Sequence, residues 1–158
     1  WRKHPNPIGP ASILDCPLAL AIDDLAQVMA AHSVVQAEYM SMWRPQRSQK
    51  GRHPRHRTKP GVRHPAGRAI DLAAVRLKNG RRYAVHLHFF GRIGAQTCGA
   101  GADRATRRHP GAKFWRNVAC ELDRKRSFNL ILSPNYDRGH WDHFHLEVRS
   151  GIRWYLTQ

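Results

Sequence analysis

The sequence predicts an α+β domain built on a small, largely antiparallel sheet flanked by helices. Three observations point there. Two segments repeat apolar residues at three- and four-residue spacing, several shorter ones are rich in β-branched and aromatic residues, and turn signals join them without a regular strand–helix–strand rhythm.

The opening residues, with prolines at 5, 7 and 10, read as an extended tail over 1–13, and 14–158 as one domain. In "DCPLALAIDDLAQVMAAHS", Leu18, Ala21, Leu25, Val28 and Met29 mark one face of a helix over 17–31. Val35, Ala37 and Tyr39 alternate with polar neighbours and predict a half-buried strand. Residues 44–63, "RPQRSQKGRHPRHRTKPGVR", hold eight Lys or Arg, three Pro and no acid, and read as a loop. "AIDLAAV" (69–75) and "RYAVHLHFF" (82–90) read as strands joined by a turn at Asn79-Gly80. A Gly-rich loop, "CGAGADRATRRHPG", leads to a helix whose stripe is Phe114, Val118 and Leu122, with Trp115 and Ala119 alongside. "FNLILS" is a short buried strand, "PNYDRGH" a turn, and "HFHLEV" the last strong strand.

Charge limits the partners. The chain has 27 Lys and Arg against 11 Asp and Glu, a formal net charge of +16, which favours anionic partners: nucleic acid, anionic lipid or an acidic envelope polymer. Single-strand binders interleave stacking rings with charge, and no aromatic lies between Arg44 and Arg63, so a specific nucleic acid is the weaker candidate. No apolar run is long enough for a transmembrane helix, and with Trp as first residue no targeting segment is read; a mature or trimmed form is expected. The three cysteines allow a 98–120 disulfide with Cys16 left over, or no disulfide.

The chemistry concentrates in "GHWDHFHLEV", 139–148. On a strand, His143 and His145 project from one face and Phe144 and Leu146 from the other, with Asp142 at or before the strand start. A catalytic zinc takes three protein ligands and keeps an open position, so further ligands must come from elsewhere. The best donor is "HPAGRAID": His64 and Asp71 can converge, with Gly67 for a tight turn and Ala69 small enough to sit close to a metal. His86 and His88 form a second H-x-H without such a partner and read as wall or surface residues. His140 either lines the cleft or sits on a solvated loop, and His53 and His56 lie among arginines that would repel a cation.

The pattern H-x-x-G-x-A-x-D at His64, Gly67, Ala69 and Asp71, followed by D-H-F-H-L at 142–146, resembles the D-Ala-D-Ala carboxypeptidase-like zinc metallopeptidases, grouped with lysostaphin-type enzymes and the hedgehog signalling domain. Within that group the chain is most similar to the bacterial extensin-like C-terminal domain, through "DCPLA", "HPAGRAIDL", "KNGRRYAV", "NVAC" and "SPNYDRGHWDHFHLE", over most of 14–148. The resemblance implies zinc held by His64, Asp71 and His145, Asp142 as general base or acid, and His143 assisting the water or the transition state. It implies that Arg44 is aimed at the substrate carbonyl, in a context partly kept as Ser41-Met42-Trp43-Arg44. Val62 and Arg63 depart from the pattern at the rim rather than at the ligands.

The activity so implied is amide hydrolysis in peptidoglycan stem or cross-bridge peptides outside the cytoplasm, periplasmic or secreted, for wall remodelling or as an exported toxin. Anionic envelope polymers suit the charge. The alternatives are a zinc-stabilised wall-binding module that has lost turnover and, further off, a basic nucleic-acid binder.

Overall fold

Asp15 starts the first helix, because its backbone is extended (φ −80°, ψ 152°) and its carboxylate accepts the Cys16 N–H at 2.9 Å. Pro17 follows in the first turn, where its missing N–H leaves no bond unmade. In this computed structural model the described residues are 2–3, 13–44, 63–102 and 108–158. Most of the arginine-rich loop, with His53, His56 and Val62, lies outside them, as do residues 4–12 of the tail and 103–107 of the Gly-rich loop.

Helix α1 (Cys16–Ala31) buries all five residues of the expected stripe. Helix α3 (Pro110–Lys125) buries Phe114, Trp115, Val118, Ala119 and Leu122, and ends at Arg126 in a left-handed conformation. The strands are β1 (Arg2–Lys3), β2 (Val34–Tyr39), β3 (Ala69–Leu77), β4 (Arg82–Ala84), β5 (Leu130–Leu132), β6 (Phe144–Glu147) and β7 (Leu156–Thr157). They form one sheet in the order β1-β2-β3-β6-β5-β7, with β4 also on β3. All pairings are antiparallel except β1–β2 and β5–β7. Ile70, Leu72, Ile131, Phe144 and Leu146 join the residues of α1 and α3 in one apolar core. Burying these side chains, at roughly 25 cal/mol per Å² of apolar surface, is what holds the helices on the sheet.

Two local expectations need correction. "RYAVHLHFF" is not one strand: β4 stops at Ala84 and a helical turn, α2 (Val85–His88), follows. Val85 and Phe89, four apart, are buried at 1 % and 0 %, whereas Leu87 between them is 56 % exposed, as on a helix and unlike a strand. In β2, Ala37 and Tyr39 are buried, but Val35 is 63 % exposed because the pairing register shifts between Val34 and Gln36.

Cys98 and Cys120 form a disulfide with Cα atoms 5.5 Å apart, and Cys16 is an exposed free thiol. No helix among the described residues is long and apolar enough to cross a membrane. That and the disulfide are compatible with an extracytoplasmic setting.

Candidate metal centre

Pairing between β3 and β6 sets the centre. Asp71 stands opposite His145 in antiparallel register, flanked by Ile70 opposite Leu146 and Leu72 opposite Phe144. The Asp71 N–H donates to the Ser41 carbonyl and its C=O accepts the Met40 N–H, so both main-chain groups are spent on the side away from β6. Asp71 and His145 are therefore a non-hydrogen-bonded pair, the geometry that brings cross-strand side chains closest.

His64 arrives on a 3₁₀ turn (His64–Ala66) between Arg63 (φ 58°, ψ −148°) and Gly67 (φ 65°). A Cβ on Gly67 would stand 3.1 Å from both the Asp15 nitrogen and the Leu14 Cα, so glycine is needed for space as well as for its positive φ. The Asp15 N–H donates to the Gly67 carbonyl at 2.8 Å, and Arg68 Nε donates to the Asp15 carboxylate at 2.7 Å. This is what "DCPLA" does for the site: the residue that caps α1 also pins the loop that carries His64.

Three donor atoms converge. Asp71 Oδ1 lies 3.0 Å from His64 Nε2 and 3.0 Å from His145 Nδ1, and the two nitrogens are 3.3 Å apart. A cation with bonds of about 2.0–2.2 Å in tetrahedral geometry wants ligand atoms separated by roughly 3.3–3.6 Å, so the triangle need open by only a few tenths of an ångström to hold one. All three residues are buried, at 2 %, 2 % and 5 % exposure, and they form a group that could hold a metal ion. Their outer atoms are already engaged: His64 Nδ1–H donates to the Met42 carbonyl at 3.2 Å, and the Ser41 hydroxyl donates to Asp71 Oδ2 at 3.0 Å.

Electrostatics treat the three donors differently. Burial pushes the Asp71 carboxyl up, but its close pairing with the His145 and His64 rings outweighs this and holds the group well below its usual range. Burial also lowers His64 and prevails over Asp71, which favours the neutral ring, the form that can ligate. For His145 burial again lowers, yet the carboxylates of Asp71 and Glu147 win and raise it.

The other residues expected at the site surround the triad. His143 Nε2 is 3.5 Å from Asp71 Oδ1, and His143 Nδ1–H donates to Asp142 at 2.8 Å. Arg44 lies 3.5 Å from Asp71 Oδ2, on the side of the carboxylate away from the histidines. His140 lines the same cleft and donates from Nδ1 to Asp137 at 2.6 Å. His86 and His88 stand apart; His88 Nδ1 bonds back to the Ala84 carbonyl at 3.0 Å. The cleft has a volume of ≈ 500 Å³, with Arg44, Arg63, Tyr136 and Trp141 in its walls.

One participant was not anticipated. Glu147, two residues past His145, is completely buried and takes the Nε2 side of that ring. The period-two pattern of "HFHLE" places it on the ligand face, which is the signal that could have found it.

The family described as extensin-like protein C-terminus matches residues 4–156, and the chain belongs to it. The search of curated proteins found no match. Neither did the search of solved structures.

Proposed function

We propose that the protein is a zinc-dependent peptidase acting on peptidoglycan stem or cross-bridge peptides. The observation that carries this reading is the buried His64–Asp71–His145 triangle with a hydrogen-bonded Asp142–His143 pair at its edge, inside an open cleft. Two imidazoles and one carboxylate converging on one point, with a side left open, suit a catalytic rather than a structural zinc site.

A divalent cation held there would supply Lewis acidity toward a carbonyl oxygen and toward water. The remaining work belongs to the chain. Asp142 accepts the Nδ1–H of His143 and so leaves Nε2 free on the open side of the triad. His143 Nε2 takes the proton of the attacking water and returns it to the leaving amine, with Asp142 steadying the imidazolium. Arg44, 39 % exposed in the cleft, can offer N–H groups to the carbonyl oxygen as negative charge builds. The charge of +16 suits a wall polymer that bears carboxylates, and the disulfide suits an oxidising compartment.

The test is to incubate purified sacculi with the zinc-loaded protein and identify released fragments by mass. New amino and carboxyl termini within the peptides are the expected result. Zinc bound without any release would point to a binding module instead.

A further inference from the structure

Glu147 is the last residue of β6, on the same sheet face as His145. Its Oε1 accepts from Arg149 Nε at 2.8 Å; its Oε2 lies 3.2 Å from His145 Nε2 and 3.7 Å from Arg63 Nε. It is 0 % exposed and lies beneath the cleft rather than in its wall, so nothing in the proposed hydrolysis uses it. A fully buried carboxylate is costly unless its partners need it there.

The partner with a need is His145. A neutral imidazole has one nitrogen bearing hydrogen and one bearing a lone pair, and only the second can ligate. His145 turns Nδ1 toward Asp71 Oδ1 and His64 Nε2, so a proton on Nδ1 would disable the triad. Ionised carboxylates can only accept, and one stands at each ring nitrogen: Asp71 at Nδ1 and Glu147 at Nε2. A cation held by Asp71 and His64 would repel a proton on Nδ1, and Glu147 would then be the acceptor that takes the ring N–H at Nε2. His64 is oriented by the neutral Met42 carbonyl instead, so the two rings are held by acceptors of different strength.

We propose that Glu147 is a positioning residue for the cation: it fixes the tautomer and orientation of His145 with Nδ1 bare, and its charge strengthens that nitrogen as a donor. Arg149 holds Oε1 so that Oε2 is left to face the ring, and Arg63 ties the same oxygen to the loop that delivers His64. The inference rests on the triad's holding a metal and not on peptidase activity.

Metal-free wild type, Glu147→Gln and Glu147→Ala are titrated with Zn²⁺ against a chelating competitor, and with Co²⁺ by its visible absorption. Glutamine keeps the shape and an acceptor oxygen but lacks the charge. Affinity should fall about 10-fold in Glu147→Gln and toward 100-fold in Glu147→Ala, the range typical for a group that orients a ligating histidine. Because affinity is read on the folded fraction, a purely structural role would lower the melting temperature and leave affinity within twofold, which overturns the proposal. A variant-free check is ¹⁵N NMR of the zinc-loaded wild type: His145 should ligate through Nδ1 and carry its proton on Nε2, and the reverse assignment overturns the proposal. Wild type that binds neither cation would sink the metal reading itself, whereas bound metal with unaltered variants would sink only this inference.

Discussion

Asp71 Oδ1 and His145 Nδ1 lie 3.0 Å apart across the β3–β6 ladder, in the one register that also places Ile70 and Leu72 against Leu146 and Phe144 on the opposite face. Core and metal triangle are thus set by the same pairing, since a slip of one residue would exchange the two faces. The apolar half holds the polar half in place.

Asp71→Asn should therefore keep the fold and lose the cation. The amide is nearly the same shape, so far-UV circular dichroism should match wild type, while zinc affinity should drop by about 100-fold or more as the single ligating charge disappears. Competition titration is the check, and unchanged affinity would remove Asp71 from the ligand set.

His143→Ala should separate chemistry from metal binding. His143 lies at the edge of the triangle, so zinc content should stay at the wild-type level while fragment release from sacculi falls by roughly 10²–10⁴-fold, the usual contribution of a positioned acid–base group. Full activity in this variant would end its assignment as the proton carrier.

Gly67→Ala and Gly80→Ala make a matched pair. Both glycines have positive φ (65° and 83°), but only at Gly67 would the new Cβ meet backbone, 3.1 Å from Asp15 and Leu14. Chemical denaturation should show a cost of about 1 kcal/mol at Gly80 and clearly more at Gly67, with weaker metal binding at Gly67 alone. Equal costs would mean that the His64 loop is not clamped by the start of α1.

Replacing Cys98 and Cys120 by serine should cost about 3 kcal/mol, the loop-entropy value for a bridge across 22 residues, read from urea unfolding. The metal triangle is built from other segments, so zinc affinity of the folded variant should change little.

Acid should weaken the metal-free protein through its buried carboxylates. Burial raises Glu147 and Asp71, but their hydrogen bonds prevail and depress both below their ordinary values of 4.5 and 3.8. Groups depressed in the fold contribute stability above the unfolded value and lose it as pH falls through the folded one. The melting temperature should thus begin to drop below about pH 4.5. A flat profile between pH 5 and 3 would show that these carboxylates are not held as described.

The elements with long, regular periods were legible in the sequence: both major helices, the β3 strand and the two faces of "HFHLEV" follow from spacing alone. Spacing failed where a short run fits two periods. "VHLHFF" alternates well enough for a strand, but Tyr83 and His88 pack so tightly on Gly111 that a Cβ there would stand 2.6 Å from His88 Cβ, a long-range contact no local pattern reports. At the site, the types and order of His64, Asp71 and His145 were readable, yet Glu147 passed as an ordinary strand residue because its burial depends on Arg149 and Arg63 folding over it. Likewise the "DCPLA" segment gave no hint that Asp15 would brace the His64 loop from the far side of the sequence.

The most direct test is to dialyse purified wild type and a His64→Ala/His145→Ala double variant against trace zinc and count the bound metal by elemental analysis. One zinc per wild-type chain and none on the variant is the predicted result. Wild type without metal, or a variant that retains it, would contradict the account.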